Sequence, residues 1–209
     1  MSDYAKSFRQ YKKFLNKSLN YNLKMFKIPT DSWILDVGCG FGETIKELKK
    51  NGYSKISGVE LDSYCVKRRG NLDVHQGSIT EMGFDKDIFD TVLVENVFHH
   101  IPLDDYLKAL KEIHRVLRSD HFLCFIEPRY SFWRRGLDFV TFGTPLPDVV
   151  KGGFELRKMV MSKELETGLY MTWLKNHQYF FSILKQYFQI EWLKNGMFFY
   201  FCKAKKLKI

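Results

Sequence analysis

The stretch Trp33-Ile-Leu-Asp-Val-Gly-Cys-Gly-Phe-Gly-Glu43 decides the reading of this chain. Its apolar start, Trp33, Ile34, Leu35 and Val37, reads as a buried strand. Glycines at alternate positions, Gly38, Gly40 and Gly42, end that strand. A strand that breaks into glycines makes a turn lacking Cβ atoms, so a ligand can lie directly on the backbone. The helical pattern that follows places Ile45 and Leu48 on one side and Lys46, Lys49 and Lys50 on the other. Its first free N–H groups are expected to point at the ligand, which makes this a nucleotide site built from main chain.

Three neighbours narrow the ligand. Asp36 sits at the strand end just before the first glycine, where a carboxylate gives a phosphate nothing but suits an ammonium group. A second apolar strand, Lys55-Ile-Ser-Gly-Val59, ends in Glu60, and a carboxylate about 20 residues past the glycines can accept two ribose hydroxyls. No Lys-Ser or Lys-Thr follows the glycines, which excludes a P-loop. The expected ligand is therefore a positively charged adenosine derivative without phosphates.

Outward from this core, 209 residues suit one α/β domain, 1–209, with some decoration. A hydrophobic content of 45% against 27% charged residues describes a globular chain, and no apolar run approaches the roughly 18 to 20 residues that span a bilayer. The first residues, MSDYAKSFRQ, lack the apolar core of a secretion signal, so a cytoplasmic location is expected. Cys39, Cys65, Cys124 and Cys202 are too scattered for a zinc site and are read as reduced thiols, with no metal expected. The net charge of +9 is concentrated in Lys6 to Lys27 and Lys203 to Lys208, where solvated ends explain it as simply as nucleic acid or an acidic partner does.

Residues 1–28 are expected to form a leading helix, because Tyr4, Phe8, Tyr11, Leu15, Leu19, Leu23 and Phe26 fall three or four apart on an otherwise basic stretch. Asp62 and Ser63 can cap a helix beginning near Tyr64. Further strands are expected at Asp73 to Gln76, Phe89 to Val94 and His121 to Ile126, with an amphipathic helix from Leu103 to Leu117 between the last two. Phe188 to Leu193 and Met197 to Cys202, joined by Asn195-Gly196, read as a hairpin preceded by a helix near Asn176 to Tyr187. The span 129–175 is irregular, aromatic and basic, and is expected to be an insertion that shapes the substrate pocket.

The chain resembles the class I S-adenosylmethionine-dependent methyltransferases over most of its length. ILDVGCGFGE is similar to that family's first motif and GVELD to its acidic second-strand end. FDTVLVENVFHHI with KALKEIHRVLRSD is similar to its fourth-strand region. The resemblance implies a Rossmann-like, doubly wound, mostly parallel seven-stranded sheet closed by a C-terminal antiparallel hairpin, with S-adenosyl-L-methionine as cofactor. It implies cofactor-binding positions at Asp36, Gly38, Cys39, Gly40, Gly42, Glu60, Leu61, Ser78, Ile79, Glu95 and Asn96. Leu61 and Ile79 would cover the adenine, while Ser78 departs from the Asp that many relatives carry for its amino group. In the family a leading helix often covers the cleft, so Arg9 or Tyr11 could reach the amino-acid end of the cofactor.

Glu95-Asn-Val-Phe lacks the Pro-Pro-aromatic pattern of relatives that methylate planar amides and bases. His99 and His100 are the candidate catalytic residues, since an imidazole can take a hydroxyl proton near neutral pH, although one of them could equally bond to main chain. The expected activity is methyl transfer to a small-molecule or sugar-containing acceptor, with oxygen preferred to nitrogen, and the basic residues of 129–175 hint at an anionic one. An RNA-directed methyltransferase and a non-catalytic adenosylmethionine-binding module are the alternatives. The oligomeric state is left open.

Overall fold

The structure is a computed structural model, and it describes residues 23–136 and 166–208. Most of the leading helix and residues 137–165 of the expected insertion lie outside the described residues. The element order alternates as β1 (Ile34–Val37), α1 (Glu43–Lys50), β2 (Ile56–Glu60), α2 (Ser63–Lys67), β3 (Val74–Gln76) and β4 (Phe89–Glu95). Two short 3-10 turns, Phe98–His100 and Leu103–Asp105, lead to α3 (Tyr106–Val116) and β5 (Leu117–Pro128). The chain closes with α4 (Leu169–Tyr187), β6 (Phe188–Asn195) and β7 (Phe199–Lys206).

The strands form one sheet in the order β3-β2-β1-β4-β5-β7-β6. β1 pairs in parallel with both β2 and β4, β4 pairs in parallel with β5, and β7 runs antiparallel between β5 and β6. This is the architecture implied by the sequence, hairpin included. Because β1 and β4 start two separate halves of the winding, their carboxyl ends open a crevice, where sheets of this kind bind ligands.

Alternation along the central strands builds two cores. Leu35, Val37, Val92, Val94, Leu123 and Phe125 face α3 and α4, where Trp173 and Phe180 complete the layer. Ile34, Leu93, Cys124 and Ile126 face the opposite way, onto Ile45 and Leu48 of α1 and onto Phe26. By the same two-residue period, Asp36 belongs to the second face.

Several boundaries differ from those read in the sequence. Trp33 stands outside β1 and is exposed, its N–H bonded to Asp90 Oδ2 at 2.8 Å and its ring flanked by Lys55 and Arg118. β5 begins at Leu117 instead of His121, because a register shift between Phe89 and Thr91 lets the strand pair on both sides of an irregularity. α4 begins at Leu169, well before Asn176, and its first two turns bury Tyr170, Trp173 and Leu174. The last part of the 129–175 span is thus core helix. Asp62 caps α2 as expected, accepting from Tyr64 N–H at 2.8 Å.

Candidate active site

The glycine turn is closed upon the protein itself. Gly38 N–H and Cys39 N–H both donate to Val59 O, at 2.8 and 3.2 Å, and Gly42 N–H donates to Cys39 O at 2.8 Å. Gly40 N–H donates to Glu60 Oε2 at 2.8 Å. These four amides have partners within the protein, so the turn shapes the site by its backbone surface, which modifies the expectation that its N–H groups point at the ligand. A Cβ at Gly38 would run into Val97 and one at Gly42 into Leu72, whereas at Gly40 it would meet nothing within 4 Å. The open surface of the turn is therefore centred on Gly40.

Carboxylates stand at the carboxyl ends of four adjacent parallel strands: Glu60 on β2, Asp36 on β1, Glu95 on β4 and Glu127 on β5. Their surroundings differ. Glu60 is bonded through one oxygen to Gly40 N–H and through the other to Asp62 N–H at 2.9 Å, which fixes its orientation while leaving further lone pairs on each oxygen. Asp36 is 2% exposed, and its Oδ2 is buried with no hydrogen-bond partner. Burial, then the nearby charges of Glu95 and Glu60, push the Asp36 carboxyl well above its ordinary range. Glu95 is half-buried and is pushed up to about 7 by burial and by Glu127, against the opposing hydrogen bond from Thr44.

A buried, unpartnered carboxylate oxygen costs free energy until a donor reaches it, and a cation is the donor that would also relieve the crowding of like charge. Together with the open face of Gly40, this is a fit to a ligand that carries an ammonium group and presses against backbone. Leu61 is 69% exposed beside Glu60, free to receive a flat apolar surface. Ile79 is instead buried in the first core with Val59 and Met82, and the Ser78 hydroxyl lies 2.8 Å from that of Thr80. Cys39 turns its thiol inward against Gly58, where burial raises its pKa, so only its backbone borders the turn.

Beyond β4 the chain bends at Asn96, whose φ of 57° is left-handed and whose N–H donates to Ile126 O at 2.9 Å. The bend delivers the turn Phe98–His100 to Glu127. Glu127 is fully buried, with Oε1 accepting from Val97 N–H at 2.7 Å and from Phe98 N–H at 2.8 Å, while Oε2 lies 2.7 Å from His99 Nδ1. A carboxylate can only accept, so Nδ1 of His99 carries the hydrogen in this bond. His99 is 2% exposed, while His100 is exposed with its ring centroid 4.0 Å from that of His99.

Glu127 and Thr44 join the site without being among the residues expected there from sequence. Glu127 had a usable signal, since it ends a parallel strand in the same way as Asp36, Glu60 and Glu95 do. Thr44 had none, being one hydroxyl in the first turn of a helix. Among the described residues no group of three His, Cys, Asp or Glu side chains is placed to hold a metal ion. None of the helices described is long and apolar enough to cross a membrane.

Residues 35–125 match the family model described as a methyltransferase domain. The cycloartenol-C-24-methyltransferase 1 of Oryza sativa subsp. japonica is 28% identical over 138 residues, covering 56% of this chain and 38% of that protein. A sarcosine/dimethylglycine N-methyltransferase from Halorhodospira halochloris is 28% identical over 108 residues, covering 47% of this chain and 38% of its own length. The chain thus spans well under half the length of these curated relatives. Among solved structures, a TehB-like S-adenosylmethionine-dependent methyltransferase from Corynebacterium glutamicum superimposes with a TM-score of 0.61 at 16% identity, covering 97% of this chain and 99% of that one, a likeness of fold. The matched segment runs from β1 into β5 and takes in the glycine turn, Glu60 and the histidine turn, so that over these residues the chain is similar to a methyltransferase domain.

Proposed function

We propose that the protein transfers a methyl group from S-adenosylmethionine to a small-molecule or sugar-containing acceptor, at oxygen in preference to nitrogen. The observation that carries the reading is the buried, unpartnered Oδ2 of Asp36 beside the open face of Gly40, flanked by a Glu60 already oriented by the turn. In this reading Glu60 holds the ribose hydroxyls, Asp36 and Glu95 take the ammonium end, and Leu61 lies against the base. Backbone at Gly38, Cys39, Gly40 and Gly42 borders the cofactor, with Asn96 setting the bend that follows Glu95. The cofactor, when bound, supplies a methyl group already activated as a sulfonium. What the chain must supply is placement, which can account for roughly 7 to 11 kcal/mol of a barrier, and for an alcohol acceptor a base worth about 10² to 10⁴-fold.

Exposure divides the two histidines. His100 is accessible and takes the acceptor's proton, while His99, fixed in one tautomer by Glu127, is the platform against which it rests. A sterol and a sarcosine methyltransferase among the relatives support a small acceptor. Isothermal calorimetry with adenosylmethionine and adenosylhomocysteine tests the binding half, and a release assay for adenosylhomocysteine over a panel of small hydroxylated and amino acceptors tests the rest. Absence of heat with either nucleoside while NAD binds would overturn the assignment.

A further inference from the structure

The β6–β7 turn carries a second feature, beside the carboxyl end of β5 and independent of how methyl transfer proceeds. Directly after β5, residues 129–136 fold back on this turn. Arg129 N–H donates to Phe198 O at 2.8 Å and its Nη1 to Gly196 O at 3.0 Å, the Ser131 hydroxyl donates to Met197 O, and Arg134 Nη2 donates to Phe198 O at 2.8 Å. Arg134 is buried over the rings of Phe198 and Phe199, with its Nε lacking a hydrogen-bond partner. Such fixed anchoring has an odd outcome: it holds large apolar side chains outward. Phe132 is 81% exposed and Trp133 59%, with Tyr130 and Met197 about half exposed beside them, and Phe132 and Trp133 pack edge to face at 6.0 Å.

The charge around these side chains has one sign. The two stretches that make the tip, Pro128 to Gly136 and Trp192 to Tyr200, contain Arg129, Arg134, Arg135 and Lys194 and no Asp or Glu. Among the described residues none of these four cations pairs with a carboxylate, whereas Lys46, Arg115, Arg118 and Lys206 elsewhere all do. Exposed Trp, Tyr and Phe interleaved with unpaired Arg and Lys match the interface of an anionic bilayer, where rings sit at headgroup depth and each basic residue gains from the surface potential.

We infer that the tip formed by residues 129–136 and the β6–β7 turn is a docking surface for an anionic lipid membrane, entered by Phe132 and Trp133. The full chain is mixed with vesicles of phosphatidylcholine alone or of equal parts phosphatidylcholine and phosphatidylglycerol, and sedimented. Binding to the anionic vesicles only, weakening as salt rises, is expected. Arg135→Ser should weaken it about five-fold, and the double change Phe132→Ser, Trp133→Ser at least about ten-fold, with unchanged melting temperature because these side chains are exposed. Trp133→Phe keeps binding but should remove the blue shift of tryptophan emission seen when anionic vesicles are added.

Four outcomes would overturn the inference. They are no vesicle binding, binding that the double variant leaves intact, and Trp133 emission already blue and unmoved by vesicles, which would place another part of the chain over it. The fourth is retention of a single-stranded RNA or a mass doubling in light scattering that the double variant abolishes while vesicles are ignored.

Discussion

Removing the Glu127 carboxylate should be among the costliest single changes in this molecule, and the size of the loss can be worked from its three partners. In Glu127→Ala the N–H groups of Val97 and Phe98 and the Nδ1–H of His99 lose their acceptor together, all at a fully buried residue. Each stranded donor costs about 1–3 kcal/mol, partly offset because a charge no longer has to be desolvated, which leaves about 3–5 kcal/mol of lost stability. That is a large share of the roughly 5–15 kcal/mol that stabilises a domain of this kind. Glu127→Gln keeps an oxygen for the two backbone amides but offers His99 an amide NH₂, so His99 must surrender its Nδ1 hydrogen and the loss falls to about 1–2 kcal/mol. Urea unfolding at neutral pH measures both variants, and nitrogen-edited NMR of the imidazole reports the tautomer. An Ala variant less than about 1 kcal/mol below the parent, or Ala and Gln variants of equal stability with an unchanged tautomer, would refute the account of Glu127 as the acceptor that organises the histidine turn.

Other expectations follow from the same geometry. Glu60→Ala should weaken adenosylmethionine binding by about 1.5–3 kcal/mol in calorimetry, the range for hydrogen bonds to a charged group, and equal affinity would remove Glu60 from the site. Gly58→Ala should cost about 1–3 kcal/mol in urea unfolding, since its Cβ would meet Cys39 Sγ at 2.7 Å and Ile45 Cδ1 at 2.8 Å beneath the turn. Glu95, raised to about 7 by burial and Glu127, binds its proton more tightly folded than unfolded. Its contribution to stability is complete below the ordinary carboxyl value and is lost as pH climbs to about 7, on the order of 3 kcal/mol in all. Glu95→Gln should flatten that part of the stability profile. Because a bound ammonium favours ionised Glu95 and Asp36, adenosylmethionine affinity should rise with pH through neutrality, and less so in Glu95→Gln. Finally, His100→Ala should lower turnover by about 10² to 10⁴-fold with cofactor affinity unchanged, measured by adenosylhomocysteine release.

The legible part of this protein was the part where chemistry and backbone geometry coincide. Three glycines, an acid before them and an acid about twenty residues on, together with the apolar runs on either side of them, place β1, α1 and β2. Strand interiors were legible from their apolar runs. The start of α4 was not, because Tyr170, Trp173 and Leu174 sit among aromatic and basic residues whose spacing resembles that of the preceding irregular span. The outer half of β5 was hidden for a related reason: Leu117 to Asp120 reads as a helix end, and only its pairing with Phe89 makes it strand. In the site, Glu127 was overlooked because its partners come from Val97, Phe98 and His99, nearly thirty residues away, and hydrogen bonds of that range leave no local periodicity. Ile79 went the other way, expected over a ring but claimed by the core.

The self-bonded glycine turn has one more consequence. A receptor whose amides already have their partners has little left to freeze when its guest arrives, so association should proceed with a small conformational entropy cost and almost no lag for rearrangement. Discrimination between the methylated and demethylated nucleosides would then depend on the static pull of neighbouring carboxylates on a sulfonium, which fades once the methyl group and its charge have departed.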